Sequence, residues 1–295
     1  MSIKLKTELF KYTTKTKNIL SADFKEYLFN DPILLYYSDF SKNWGDYINP
    51  YLVEKITGKK TVSFKRIYNP LNKPKLFGIG SILHHPGLDN AVIWGSGFIY
   101  PPKHLKGTPS KILALRGKGS AAIMEGFGIK HDNIFGDPAL LFPTFYNPKK
   151  SKKFKMGIIP HYSELDYFLT NTQVKNNKDV TIISPLVKND QVFEIIDQIC
   201  ECDIVISSSL HGLILTDAYQ IPSLRFTFTN KLVGGDFKFN DYYSGVGIND
   251  HDVIHLDDLN KINYSEAYRL ATTKELNFDL EKLSLSILDY YKNNN

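Results

Sequence analysis

Four short turns in this sequence combine glycine, hydroxyl and charged residues in ways suited to holding an anion. The most informative is Ser207-Ser-Ser-Leu-His211-Gly212, where three hydroxyls and a histidine separate an apolar run from a helical pattern. An imidazole just inside a helix N-terminus can contact an anion or exchange a proton; a cap partner or buried donor is the plainer alternative for His211. Arg116-Gly-Lys118-Gly-Ser120 places two cations, two glycines and a hydroxyl between a strand-like run and a helix. Guanidinium, backbone N–H and helix dipole would act together there on an oxyanion, with a purely structural turn as the alternative. It lacks the spacing of a Walker A loop. Gly95-Ser96-Gly97 leaves room for a phosphate or sugar but has no third glycine to complete a dinucleotide fingerprint. Asn43-Trp44-Gly45-Asp46 is the fourth turn, suited equally to capping a helix.

Such turns reach a common ligand only if they lie beyond the carboxyl ends of parallel strands. The sequence supports that placement. Apolar runs over 33–37, 76–80, 91–94 and 111–116 read as strands, and 51–56, closed by Gly58, and 120–127 read as helices. A Pro- and Lys-rich stretch, 142–153, marks an expected boundary between lobes of residues 1–150 and 151–295. Beyond it, strands are expected over 155–159, 180–183, 203–206 and 224–226. Helices are expected over 192–199 and 213–218, the latter stopped by Pro222, with a helical C-terminal stretch over 264–291. The alternation predicts an α/β protein with two Rossmann-like lobes.

Composition narrows the function classes. The 295 residues are 42% hydrophobic and 23% charged, which excludes general disorder. The net charge of +5 divides unevenly: residues 1–150 carry 22 Lys+Arg against 11 Asp+Glu, residues 151–295 carry 14 against 20. A basic first lobe suits an anionic partner, or is solvated surface charge only. Basic residues are not interleaved with aromatics as in a nucleic-acid module, so no nucleic-acid partner is expected. Cys200 and Cys202 are too close for a disulfide and read as buried thiols. His84, His85 and His161 lack metal-ligand spacing, and Ser163 lacks a hydrolase elbow, so no metal site is expected. The N-terminus has no signal-peptide core and no apolar run of about 18 residues occurs, so a cytoplasmic location is expected.

Taken in order, Asn43-Trp-Gly-Asp-Tyr-Ile-Asn49, Trp94-Gly-Ser-Gly97, Leu115-Arg116 with Ser120, Gly136-Asp-Pro-Ala139 and Ser207-Ser-Ser-Leu-His-Gly-Leu-Ile214 resemble the signature blocks of the polysaccharide pyruvyltransferase family. The resemblance implies a two-lobed, glycosyltransferase-B-like fold. It also implies transfer from phosphoenolpyruvate, a co-substrate with no further cofactor required, to two hydroxyls of one sugar, giving a pyruvate ketal and phosphate. It assigns Arg116, Lys118, Ser120, Ser208, Ser209, Leu210, His211, Gly212 and Lys238 to the donor. Asn43, Gly45, Asp46, Gly95, Ser96, Gly97 and Asp137 go to the acceptor. His211, Arg116 and Asp46 are the catalytic candidates, His211 as general acid or phosphate ligand and Asp46 or Asp137 as base or sugar ligand. Many family members carry Arg where this chain has Ser209, so Arg116, Lys118 or Lys238 must supply that charge. The acceptors implied are surface polysaccharides or lipid-linked glycans, and Lys59, Lys60, Lys65, Arg66, Lys73 and Lys75 would suit peripheral docking on an anionic membrane face. A nucleotide-sugar glycosyltransferase of the same fold and a non-catalytic glycan-binding protein are the competing classes.

Overall fold

The computed structural model describes residues 22–38, 42–67, 72–148, 151–188, 191–229 and 232–293. Each half of the chain builds one five-stranded, all-parallel sheet. The first contains β1 (Ile33–Tyr36), β2 (Thr61–Ser63), β3 (Lys75–Phe77), β4 (Ala91–Trp94) and β5 (Lys111–Ala114), in the order β2-β1-β3-β4-β5. The second contains β6 (Phe154–Ile159), β7 (Val180–Ile182), β8 (Cys202–Ser207), β9 (Ser223–Thr227) and β10 (Val253–His255), in the order β10-β9-β8-β6-β7. Read from the other edge, the second order repeats the first, so both lobes have the doubly wound 2-1-3-4-5 topology. Each then has a crevice where the winding reverses, between β1 and β3 and between β6 and β8. β1, β3 and β4 are buried along their whole length, as expected for parallel strands covered on both faces. Both lobes are therefore Rossmann-like α/β units.

The helices are α1 (Ala22–Phe29), α2 (Trp44–Tyr47), α3 (Asn49–Thr57), α4 (Lys118–Gly126), α5 (Leu165–Thr170), α6 (Thr172–Asn176), α7 (Glu194–Cys200), α8 (Leu210–Ala218), α9 (Phe237–Gly245), α10 (Tyr264–Leu270) and α11 (Leu280–Asn293). Gly58 ends α3 at φ 69°, a left-handed cap that closes the helix without a Cβ penalty. Cys200 and Cys202 are buried free thiols, and burial pushes the Cys202 thiol up to about 12. No helix among the described residues is long and apolar enough to cross a membrane.

Two features differ from the sequence expectation. The expected boundary stretch, 142–153, opens inside a 3₁₀ helix, Pro138–Thr144, whose Leu140, Leu141 and Phe142 are buried and which packs on α8. Pro138 at its first position fixes the entry, and three successive apolar side chains then join one core that runs through both lobes. The C-terminal stretch is also not one helix. After α10 the chain runs without helix until α11, which carries Leu283 and Ile287 into the core beside β5 and α3 of the first sheet. Trp94 Nε1 donates to Leu283 O at 2.9 Å, fixing that return. The last helix, assigned by sequence to the second lobe, thus lies against the first.

Candidate active site

The two crevices face one another across a cleft of about 400 Å³. From the first lobe it is lined by Ser38 after β1, Ser81 and His85 after β3, and Asn43 and Asp46 around α2. From the second come His161, Tyr162 and Ser163 after β6, Ser209, Leu210 and His211 at the start of α8, and Lys238 of α9. The first-turn amides of α8 have no carbonyl partners within the helix, so its N-terminus presents N–H groups and positive potential to this space.

α2 and α8 meet closely. A Cβ built on Gly45 would lie 2.0 Å from His211 Nδ1 and 2.2 Å from its Cε1, so only glycine admits the imidazole here. His211 Nε2 lies 3.7 Å from Asp137 Oδ2, beyond hydrogen-bond range, and both atoms are buried without a hydrogen-bond partner. Asp137 Oδ1 is committed, accepting from Ala139 N at 2.9 Å as cap of the 3₁₀ helix. Asp46, half-buried beside Gly45, has its carboxyl pushed up to about 6 by burial, with the nearby His211 acting in the opposite sense. The buried amide of Asn49 holds α2 and α3 against the loop after β3. Its Nδ2 donates to Asp46 O at 2.9 Å and to Ile79 O at 3.1 Å, and its Oδ1 accepts from Ile79 N at 2.7 Å.

The second-lobe wall is organised by Glu164, 1% exposed. Its carboxylate accepts from Ser208 Oγ at 2.7 Å, Thr229 N at 3.0 Å and Thr229 Oγ1 at 2.7 Å, while Ser208 Oγ accepts from His161 N at 2.8 Å. The loops after β6, β8 and β9 are thereby tied together. Lys238 is buried, and desolvation, aided by the Arg116 and Arg225 charges, lowers its ammonium to about 8. Burial, with the Lys238 charge, lowers His161 to about 4, which keeps that ring neutral near pH 7. Arg225 stacks on Phe239 at 3.9 Å and pairs with Asp236.

The frame is thus a two-lobed α/β protein with a histidine at a helix N-terminus facing Asp137 from the first half of the chain. Comparison narrows it: the polysaccharide pyruvyl transferase family model matches residues 19–229. The chain belongs to that family. It is 29% identical over 221 residues to the uncharacterized protein L143 of Acanthamoeba polyphaga mimivirus, covering 73% of this chain and 75% of that one. It is 24% identical over 221 residues to the succinoglycan biosynthesis protein ExoV of Rhizobium meliloti (strain 1021), covering 72% of this chain and 64% of that one. The solved structure of the wall teichoic acid polymerase TagF aligns with 99% of this chain and 93% of that chain at 12% identity and a TM-score of 0.38. Family membership makes the chain a transferase of pyruvyl groups in polysaccharide biosynthesis.

In this pyruvyl transferase the residues expected at the site divide into two groups. Asn43, Asp46, Ser209, Leu210, His211 and Lys238 line the cleft, with Gly45 packed directly beneath His211. Ser208 and Gly212 stand behind that lining. Ser208 carries the hydrogen bonds just described, and a Cβ on Gly212 would meet Ser207 Oγ at 2.4 Å, so the glycine lets α8 close onto β8.

The turn at 116–120 has a different task from the expected one. Its anion is Asp241 of this chain, which accepts from Arg116 Nε at 3.0 Å, Ser120 N at 2.6 Å and Ser120 Oγ at 2.7 Å, all buried. Arg116 is fully buried; its other donors go to Phe98 O at 2.6 Å and to Ser81 Oγ at 2.5 Å. It therefore backs the cleft wall through Ser81. Lys118 is exposed and lines a separate cavity. Gly95, Ser96 and Gly97 are buried and do not line the cleft. Gly95, at φ 79°, leaves space for Pro138; a Cβ on Gly97 would strike the Arg116 guanidinium at 2.4 Å; and Ser96 Oγ donates to Gly78 O. Among the basic residues named for docking, Lys59 and Lys73 pair with Asp31 and Lys60 with Glu54.

The raised Asp46 carboxyl makes a stability prediction. The folded state holds this proton more tightly than the unfolded chain, whose carboxyl keeps the ordinary value of 3.8. The stability this group contributes is therefore fully present below about pH 4 and lost as the pH rises through about 6. Asp46→Asn is expected to stabilise the fold by about 1–2 kcal/mol at pH 7.5, a figure discounted for partial exposure, and by nothing at pH 4. Thermal unfolding at the two pH values checks this; an equal shift at both would refute it.

Proposed function

We propose that this chain transfers the pyruvyl group of phosphoenolpyruvate to two hydroxyls of one sugar of a polysaccharide or lipid-linked glycan precursor, forming a pyruvate ketal and phosphate at the cytoplasmic face of a membrane. The observation that carries this reading is the meeting of His211, at the N-terminus of α8, with Lys238 from one lobe and Asp46 from the other around a single cleft. The donor carries a phosphate and a carboxylate. The free amides of α8 and the ammonium of Lys238 match that pair of anions.

The chemistry balances on these groups. A proton delivered to the methylene carbon of the donor makes it a methyl group and leaves oxocarbenium character at C2, with His211 as the acid. One sugar hydroxyl attacks C2 and gives up its proton, for which Asp46 is the base. The C2–O bond to phosphate then breaks, and the second hydroxyl attacks C2 and closes the ketal. Two hydroxyl protons are released, one replacing the proton delivered to carbon and one leaving with phosphate. Removing water from the cleft favours each charged contact along this path.

His211→Ala is expected to keep its fold and lose about 100-fold or more in phosphate release from phosphoenolpyruvate with acceptor. Single-turnover phosphate detection, with melting temperature as the folding control, makes the test. Release at the wild-type rate would end the assignment.

A further inference from the structure

A second polar cavity, of about 360 Å³, shares no lining residue with the cleft. It lies where three parts of the chain meet: the start of α4 with residues 133–135, the end of α9 with residues 247–249, and the segment 277–282 that leads into α11. Its volume falls within the range of about 300–1,000 Å³ common to small-molecule sites. Two features of its lining bear on what it could hold.

The first is hydrogen-bonding capacity not spent within the protein. The exposed side chains of Asn249 and Asn277 make no hydrogen bond among the described residues and are open to a ligand in this cavity. Lys118 likewise has no ion-pair partner among the described residues; only its backbone N–H is used, donating to Ser244 Oγ at 3.0 Å. The second feature is charge and shape. Lys118 and Lys282 line the cavity with a single carboxylate, Asp279, 3.3 Å from Lys282 Nζ, so the lining carries one net positive charge. The half-buried ring of Phe278 supplies an apolar wall. Amides for hydroxyls, a ring for a carbon face and one surplus cation together match a pyranose bearing one carboxylate.

We propose that this cavity binds an acidic sugar unit of the polysaccharide, its carboxylate at Lys118 and Lys282 and its hydroxyls at the asparagines. Two sources of that chemistry exist in such a polymer, a uronic acid and a sugar already carrying a pyruvate ketal. The second source rests on the transfer reaction proposed above. It would let a modified repeat anchor the chain while the next enters the cleft.

The experiment is saturation-transfer difference NMR on the full chain with three probes: methyl β-D-glucuronide, the 4,6-pyruvate ketal of methyl β-D-galactoside, and methyl β-D-galactoside. Wild-type protein is expected to bind at least one acidic probe at up to roughly 10 mM and to bind the neutral one at least fivefold more weakly. K118Q and K282Q, both exposed positions, are expected to weaken the acidic probe at least fivefold with unchanged melting temperature, and K282Q to leave phosphoenolpyruvate-dependent phosphate release from a short acceptor unchanged. Which acidic probe binds identifies the source. Binding of neither acidic probe, or acidic binding that both variants retain, overturns the proposal. If no phosphoenolpyruvate-dependent release occurs in any protein, the transfer reading fails, while glucuronide binding still decides this site by itself.

Discussion

Asp241→Ala is expected to destabilise the protein by about 3–5 kcal/mol, lowering the melting temperature by on the order of ten degrees. The argument is one of orphaned partners. Asp241 lies on α9 and its carboxylate is fully buried, as is Arg116, which approaches it with Nη2 at 2.9 Å as well as through Nε. The same carboxylate takes the N–H and the hydroxyl of Ser120 at the first turn of α4. Alanine leaves a buried guanidinium without its anion and a buried helix terminus without its cap, two losses that water cannot enter to repair. α4 belongs to the first half of the chain and α9 to the second, so the pair also couples the lobes, and Ser81 in the cleft wall loses a fixed neighbour. A change of less than about 1 kcal/mol would show that the pair is not the link described here. Replacing both partners by apolar residues of similar size, Arg116→Met with Asp241→Leu, is expected to recover much of the loss, because a buried ion pair is costly to break and cheap to remove whole.

That pair also shows what a sequence discloses and what it conceals. Arg116 and Ser120 stand out as an anion cradle from their types alone, and they are one. Nothing in the local pattern reveals that the anion is a side chain 125 positions away. The interior strands were legible because parallel strands buried on both faces become continuous apolar runs. The three-residue edge strands Thr61–Ser63 and Val253–His255 have no such run and give no strand signal. His211 was legible as a histidine at a helix start. His161, Tyr162 and Ser163, its neighbours across the same crevice, carry no such local signal. They follow β6 directly, but placing them there requires the strand order, which sets β6 beside β8. Gly45 was visible as a glycine in a turn, and its reason lies in the other lobe.

Gly45→Ala is expected to reduce turnover by at least about 100-fold while leaving secondary structure intact, because one methyl group must displace the imidazole proposed to act on the donor. Gly45 sits within α2 and its φ is not positive, so helix propensity alone would favour alanine by about 1 kcal/mol. Any loss must therefore come from contact across the lobes. The new Cβ falls 2.0 Å from His211 Nδ1, and the ring has little room to yield, with Trp44 on one side at 6.5 Å between centroids and Asp137 on another. Either the ring leaves its rotamer or α2 moves away from α8; both widen the cleft, and overpacking of this kind costs about 1–3 kcal/mol. The double variant Gly45→Ala with His211→Ala separates the causes. Truncating the ring removes the clash, so stability is expected to return toward that of His211→Ala alone while activity stays lost, a coupling that independent sites do not show. Additive stability losses would mean that Gly45 matters for some reason other than the imidazole. Gly58→Ala serves as the reference, since its left-handed φ strains alanine but no atom lies within 4 Å of the added carbon, and its cost is expected to appear in stability with turnover unchanged.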